Sequence, residues 1–277
     1  MQNTLAITPA HETILKSVYT YYYLTAKQVC RLHYSPGSFT RAERLLKELR
    51  DNEYLQWDFL PVKRRVGSSP AYYMLAKRGV AYLRSLGFDV SILPYPSEKK
   101  ELKSLFLPHT MAVNDFLIAS TLVAQVIPHI RLFQMKHELL LKRTMKGRVI
   151  PDGWLDFRIN ENEQVCFWLE MDRATQDGKI IKQKIQAMVL FAKDTYQQVF
   201  HTPSLTIVFA TIGETGRLHN LIKWTEQVLA DLHETQEADL FRFAAIPEGE
   251  LDPAWLFFTP IWSRPFDTTP LPLFSRQ

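Results

Sequence analysis

The chain has 277 residues, 46% of them hydrophobic and 22% charged, with 33 Lys and Arg against 29 Asp and Glu. These proportions exclude a disordered chain and a coiled coil, and the length allows one large or two modest domains. The net charge of +4 divides unevenly: residues 1–95 hold 13 basic and seven acidic side chains, a net of +6, and the remainder holds 20 and 22, a net of −2. A basic front joined to a mildly acidic back predicts two units with different partners.

The start, Met1 to Pro9, has neither a basic n-region nor an apolar h-region, so no signal peptide is predicted. The longest apolar run, Phe116 to Ile127, is about 18 Å long as a helix, too short for a bilayer core. Cys30 and Cys166 are too few and too far apart for a disulfide framework or a thiolate metal site. The expectation is a cytoplasmic protein with two buried thiols and no membrane partner. There is no P-loop, GxGxxG, HExxH or GxSxG.

In the basic front, a first helix is predicted from about Thr8 to Tyr22, with Pro9 tolerated in its first turn. A second follows Leu24, capped by Thr25, and runs to about His33. After the turn Ser35-Pro36-Gly37, a third helix places Phe39, Ala42, Leu45, Leu46 and Leu49 on one face, with Thr40 and Glu43 as a capping box. Its opposite face carries Arg41, Arg44, Lys47 and Arg50. A strand from Tyr54 to Val62, a basic loop containing Lys63, Arg64 and Arg65, and a strand from Ala71 to Leu75 form a hairpin. A fourth helix, Ala76 to Leu86, ends at Gly87. This is the order of a winged helix-turn-helix: Arg41, Arg44 and Lys47 would face the major groove, and Lys63, Arg64 and Arg65 the phosphates. A solvated basic face, or a winged helix that binds protein instead, is the other reading of the same residues.

Pro94, Pro96 and the charge cluster from Glu98 to Lys103 mark a boundary. The predicted division is a winged-helix domain over 1–92, a linker over 93–104, an α/β domain over 105–258 and a Pro-rich tail over 259–277. In the third of these a long helix runs from about Leu105 to Val126 and carries His109, Asn114 and Asp115. Strands at Ile130–Lys142, Arg148–Ile159 and Gln164–Met171 follow, then a helix from about Asp177 to Tyr196. A strand (Leu205–Thr211), a helix (Thr215–Leu232) and strands at Phe241–Ile246 and Trp255–Phe258 complete a mixed sheet flanked by helices.

Chemistry is expected at Pro151-Asp152-Gly153 and at Glu170-Met171-Asp172. Residues two apart on a strand share a face, so Glu170 and Asp172 lie together, and Asp152 approaches them if the second and third strands pair. A hard divalent cation such as Mg²⁺ or Mn²⁺ takes carboxylate and phosphate oxygens, and a nearby Lys can stabilise an oxyanion. Lys179, Lys182 and Lys184 open the next helix. Asp152 and Asp172 as turn and cap residues, with Glu170 an exposed strand-end charge, is the plainer alternative. Burying a Glu after Phe167-Trp168-Leu169 is expensive without a partner or a metal.

Taken in order, the winged-helix front, His109 with Val113-Asn114-Asp115, Pro151-Asp152-Gly153, Leu169-Glu170-Met171-Asp172-Arg173-Ala174-Thr175 and Lys184-Ile185 resemble the replication-relaxation family, from about Thr8 to about Leu232. That family is similar to MobC-type mobilisation relaxases. The αβββαβ order also resembles the PD-(D/E)xK nuclease superfamily. The resemblance implies a DNA-binding protein of a plasmid or mobile element that nicks or otherwise processes plasmid DNA at an origin or transfer site. It implies Asp152 and Glu170 as Mg²⁺ or Mn²⁺ ligands, Lys184, with Lys182 as the second choice, as the motif lysine supplied from the next helix, and Asp115 as the acid of the first helix. Asp172 stands at the motif's own Lys position, Ala174 where Gly is usual and Met188 where Tyr is usual. A non-catalytic replication accessory or transcriptional regulator with a degenerate nuclease domain is the alternative.

Tyr19, Tyr21, Tyr22 and Tyr23 are expected to pack the first helix rather than act as nucleophiles. In the tail, Leu271-Pro272-Leu273-Phe274 resembles the end of a sliding-clamp-binding peptide, with Pro270 in place of the leading Gln. The tail is expected either to dock on a clamp or replisome partner or, more simply, to pack on its own domain.

Overall fold

The computed structural model describes residues 5–60, 69–90, 100–145, 149–160, 163–213 and 215–275. The chain is a mixed α and β protein made of two compact units, Met1–Asn114 and Asp115–Gln277. The predicted linker falls partly outside the described residues, and from Lys100 the chain is already helical.

The first unit opens with α1 (Pro9–Tyr21). Thr8 caps it: its hydroxyl accepts from the His11 backbone and the His11 ring reaches back to the Thr8 N–H at 3.2 Å. Then come β1 (Leu24–Thr25) and α2 (Ala26–His33), where Thr25 and Gln28 form the same reciprocal cap. After one 3₁₀ turn, α3 spans Phe39–Asp51, followed by β2 (Leu55–Phe59), β3 (Ala71–Leu75), α4 (Lys77–Ser85) and the start of α5 (Lys100–Val126). The three strands form an antiparallel sheet in the order β1-β3-β2.

The core of this unit is apolar. Leu45, Leu46 and Leu49 of α3 are buried, as are Ile14, Leu15, Val18 and Val29. The capping box expected at Thr40 and Glu43 does not form, because Pro36 starts the turn early and α3 begins at Phe39 behind Ser38, which makes no side-chain cap. Gly79 is required: a Cβ there would stand 2.2 Å from the Tyr54 carbonyl oxygen. Tyr21, Tyr22 and Tyr23 are buried, and Asn114 donates to the Tyr21 and Tyr23 carbonyls at 3.1 and 2.6 Å.

The second unit continues through β4 (Ile130–His137), α6 (Glu138–Thr144), β5 (Gly153–Ile159), β6 (Glu163–Asp172), α7 (Gly178–Asp194) and α8 (Tyr196–Phe200). It ends with β7 (Thr206–Ile212), α9 (Thr215–Asp231), β8 (Phe241–Ile246), α10 (Pro253–Phe258), β9 (Trp262–Arg264) and β10 (Asp267–Leu271). One seven-stranded sheet holds them in the order β10-β9-β8-β7-β6-β5-β4. Strands β4, β5 and β6 form an antiparallel meander, while β6, β7 and β8 run parallel. Parallel neighbours need long crossovers, which α7 and α9 provide.

Alternation along β6 sets the two faces of the sheet. Cys166 and Trp168 join Trp154, Ile185, Met188 and Leu221 in the core beneath the crossover helices. Phe167 turns the other way, to Phe157, Phe257 and Phe274. Cys166 is fully buried, and that burial pushes its thiol up to about 11.

Two predicted strands are corrected. Ile130–Lys142 is a strand only to His137. There the His137 ring accepts from the Leu139 N–H at 3.2 Å, and α6 starts, braced by a Glu138–Lys142 ion pair one turn apart. Trp255–Phe258 is helical, because Asp252 accepts from the Trp255 N–H at 2.7 Å and Pro253 fits the first turn. The tail packs on its own unit: Phe274 is 2% exposed and stacks on Phe257 with ring centres 5.0 Å apart. Docking of this tail on a clamp would require Phe274 to leave that core. Among the described residues no helix is long and apolar enough to cross a membrane.

Candidate acidic site on the large sheet

The site grows from the register of β5 against β6. Gly153 stands opposite Leu169, which places Asp152 at the mouth of β5 beside the last residues of β6. The Asp152 N–H donates to the Leu169 carbonyl at 3.0 Å, and its carboxylate accepts from the Met171 N–H at 2.7 Å. Glu170 lies on the same sheet face as Trp168, whose indole N–H donates to it at 2.7 Å. From α7, Lys184 reaches down and pairs with the second Glu170 oxygen. Asp152 is 7% exposed and Glu170 2% exposed.

Burial, with its loss of hydration, is the largest influence on Glu170 and raises it. The ammonium of Lys184 pulls it back and the charge of Asp152 pushes it up again, leaving it at about 7. Burial also works to discharge Lys184, but the charges of Glu170 and Asp152 outweigh it, so Lys184 is held protonated. The site therefore carries a held cation beside a carboxyl whose pKa burial raises.

The structure thus brings Asp152, Glu170 and Lys184 together. Asp172, two residues further along β6, is otherwise engaged: Arg217 grips both its oxygens at 2.8 Å, and Thr211 and the Ala174 N–H each donate at 3.2 Å. Asp115 lies half-buried on α5.

Two participants escaped the sequence reading. Arg217 comes from α9, 45 residues after Asp172, and no local pattern links them. Glu138 opens α6, and its N–H donates to the Asp152 carbonyl at 3.0 Å. Its carboxylate comes within 4.8 Å of that of Asp152, and it also acts on Lys184. The signal for Glu138 was His137 as an N-cap ahead of an i,i+4 Glu–Lys pair.

The donors suit a hard cation. Carboxylate oxygens of Asp152 and Glu138 within 4.8 Å fit around an ion whose own bonds are about 2.0–2.1 Å for Mg²⁺.

In the first unit, Arg41, Arg44 and Lys47 are all exposed on one side of α3, opposite the buried leucines. Arg41 lies over the Tyr34 ring at 5.4 Å. Arg44 pairs with Glu48 at 2.6 Å, and Glu48 also meets the His11 ring at 2.9 Å. Lys63, Arg64 and Arg65 lie outside the described residues.

The replication-relaxation family matches residues 15–202, from within α1 to just past α8. The chain belongs to the replication-relaxation family. The family match takes in α3, Asp152, Glu170, Asp172 and Lys184 and stops short of Arg217. A role in the replication or relaxation of a plasmid or mobile element follows from that membership. No curated protein and no solved structure matches the chain.

Proposed function

We propose that this replication-relaxation protein nicks DNA in a metal-dependent reaction, with the first unit acting as a winged helix on duplex DNA and the second as a PD-(D/E)xK-like nuclease. The observation that carries this reading is the meeting of Asp152, Glu170 and Lys184 at the ends of β5 and β6 and on α7. The antiparallel β4-β5-β6 meander, the α7 crossover and the parallel β7 supply the supporting order. For the first unit, support comes from a helix-rich chain closed by a small antiparallel sheet, with Arg41, Arg44 and Lys47 outward on α3.

In this reading Asp152 and Glu170 would hold Mg²⁺ or Mn²⁺ through hard oxygen donors, and the Glu138 carboxylate, within 4.8 Å of that of Asp152, is a further donor. Such an ion supplies Lewis-acid activation of a scissile phosphate and of its attacking water. Lys184 keeps a positive charge where the phosphate would gain negative charge, and the indole of Trp168 fixes Glu170 in place. A second reading, a non-catalytic replication accessory, is favoured by one observation: Asp172 stands at the motif's lysine position and is committed to Arg217.

Supercoiled plasmid incubated with the protein and Mg²⁺ or Mn²⁺ separates the two. Nicking by the native chain, lost in both Asp152→Ala and Glu170→Ala, supports the first reading. Duplex binding without nicking in either metal supports the second. Nicking that persists in Glu170→Ala removes the assigned site.

A further inference from the structure

The crossover helices α7 and α9 leave between them a groove of about 550 Å³ that the acidic site does not use. That volume is of the size that takes one small ligand or a nucleotide unit, within about 300–1,000 Å³. One wall is basic and polar, with Lys179, Lys182, Gln183 and Gln186 from α7, and the other is largely apolar, with Trp224 and Val228 of α9 and Leu232 just past its end.

Three features indicate that the indole is built into place. Gly178, the first residue of α7, lies so close that a Cβ there would stand 2.7 Å from the Trp224 ring. The Arg217 guanidinium lies over the same ring at 5.0 Å. Arg217 is in turn fixed by its two-pronged grip on Asp172. A half-buried Trp packed against Gly178 and an anchored arginine is a rigid aromatic group in the groove wall.

The cations complete the chemistry. Lys179 is exposed and Lys182 half-buried, and neither is in an ion pair among the described residues. Asp231, the acidic residue on the wall, stands seven residues further along α9, about 10 Å from Trp224 at the rise of a helix. The amides of Gln183 and Gln186 offer both donors and acceptors to a base edge. A fixed π-face with two nearby ammonium groups is the combination by which proteins hold unpaired nucleotides. A duplex keeps its bases stacked and cannot present one to an indole.

We propose that the α7–α9 groove binds single-stranded DNA, stacking one base on Trp224 and placing its phosphates at Lys179 and Lys182. The groove adjoins the acidic site through the Trp224–Arg217–Asp172 chain, with Asp172 two residues from Glu170 on the same face of β6. The inference deepens the nicking proposal, on which it rests only for the source of the strand: the groove would hold the strand beside the cut.

The test is fluorescence anisotropy of a labelled 12-nucleotide oligo-dT with the full chain, in excess unlabelled duplex to occupy the first unit. Trp224→Ala is expected to weaken binding about tenfold, within the range measured for losing one stacked base, and Trp224→Phe to restore most of it. Lys179→Ala with Lys182→Ala should lower the slope of log affinity against log salt by about 1.4, at about 0.7 per phosphate contact on a single strand. Binding within twofold of wild type in the double lysine variant overturns the proposal, whatever Trp224→Ala does to folding. Equal competition by poly-glutamate also overturns it and points to an acidic peptide. Trp224-dependent binding in a protein that never nicks leaves the groove standing and removes the nuclease reading. Nicking with no Trp224 or lysine dependence of oligo-dT binding does the reverse.

Discussion

The two units treat charge in opposite ways. In the first, the buried polar side chains among the described residues are neutral or imidazole: His11, Ser17, Gln28, Thr110 and Asn114. Arg41, Arg44 and Lys47 sit outside, on the far face of α3. The second buries four carboxylates: Asp152, Asp156, Glu170 and Asp172. A surface cation costs almost nothing and remains available to a polyanion. A buried carboxylate costs several kcal/mol and has to be answered by partners. One oxygen of Asp156 is answered by Arg158 and Gln164 at 3.1 and 3.0 Å while the other has no hydrogen-bond partner among the described residues, and both oxygens of Asp172 are answered by Arg217. At the third place Glu170 and Asp152 both act on the one ammonium of Lys184, and Glu170 is left with a raised pKa. Perturbed titration of this kind is where chemistry concentrates.

The sharpest way to break this comparison is Lys184→Met. It leaves Glu170 buried without its ammonium and is expected to cost roughly 2–4 kcal/mol in urea unfolding, less than for a fully buried pair because the lysine is 28% exposed. The penalty attaches to the charged form of Glu170, so it should be smaller at pH 5, where the carboxyl takes up a proton, than at pH 8. Equal stability to wild type at both pH values would mean that the pair holds nothing.

Arg217→Ala comes next, at about 2–3 kcal/mol, since Asp172 keeps only Thr211 and one N–H. Arg217→Lys should recover part of this, because one ammonium cannot span both oxygens. Full recovery would reduce the pair to a simple charge contact.

On the other unit, Arg41→Ala is expected to cost about 1–3 kcal/mol of duplex affinity with little change in melting temperature. A loss of stability instead would show that the face is structural. The smallest effect is expected at His33. Burial lowers its pKa, and its ring meets Ser17 at 2.6 Å. The unfolded chain therefore binds the proton more readily, and stability should decline as pH falls through about 6.5 toward the folded value. His33→Gln should remove that acid-side decline; a melting curve of the variant that keeps it would exclude His33 as its source.

Local signals were the readable ones. Thr8, Thr25 and Gly87 mark their helix ends in the sequence, and the leucine stripe of α3 fixes which of its faces is wet. Glu170 was visible as a carboxylate following three apolar strand residues. Hidden were the breaks inside apolar stretches. At His137 and Asp252 a single capping side chain turns strand-like composition into helix. Such switches depend on one hydrogen bond, and periodicity does not register them.

By itself the sequence determined the family, the separation of a basic front from an acidic back, and the short list of acidic and basic residues from which a site could be built. Which carboxylate is used for what was decided only by the tertiary structure. Glu170 and Asp172 are equivalent by strand alternation, two residues apart on one face. Lys184 descends on the first and Arg217 on the second, from different crossover helices. The parallel pairing of β6, β7 and β8 requires those helices to lie over the sheet, and that long-range placement gives two similar acids different environments.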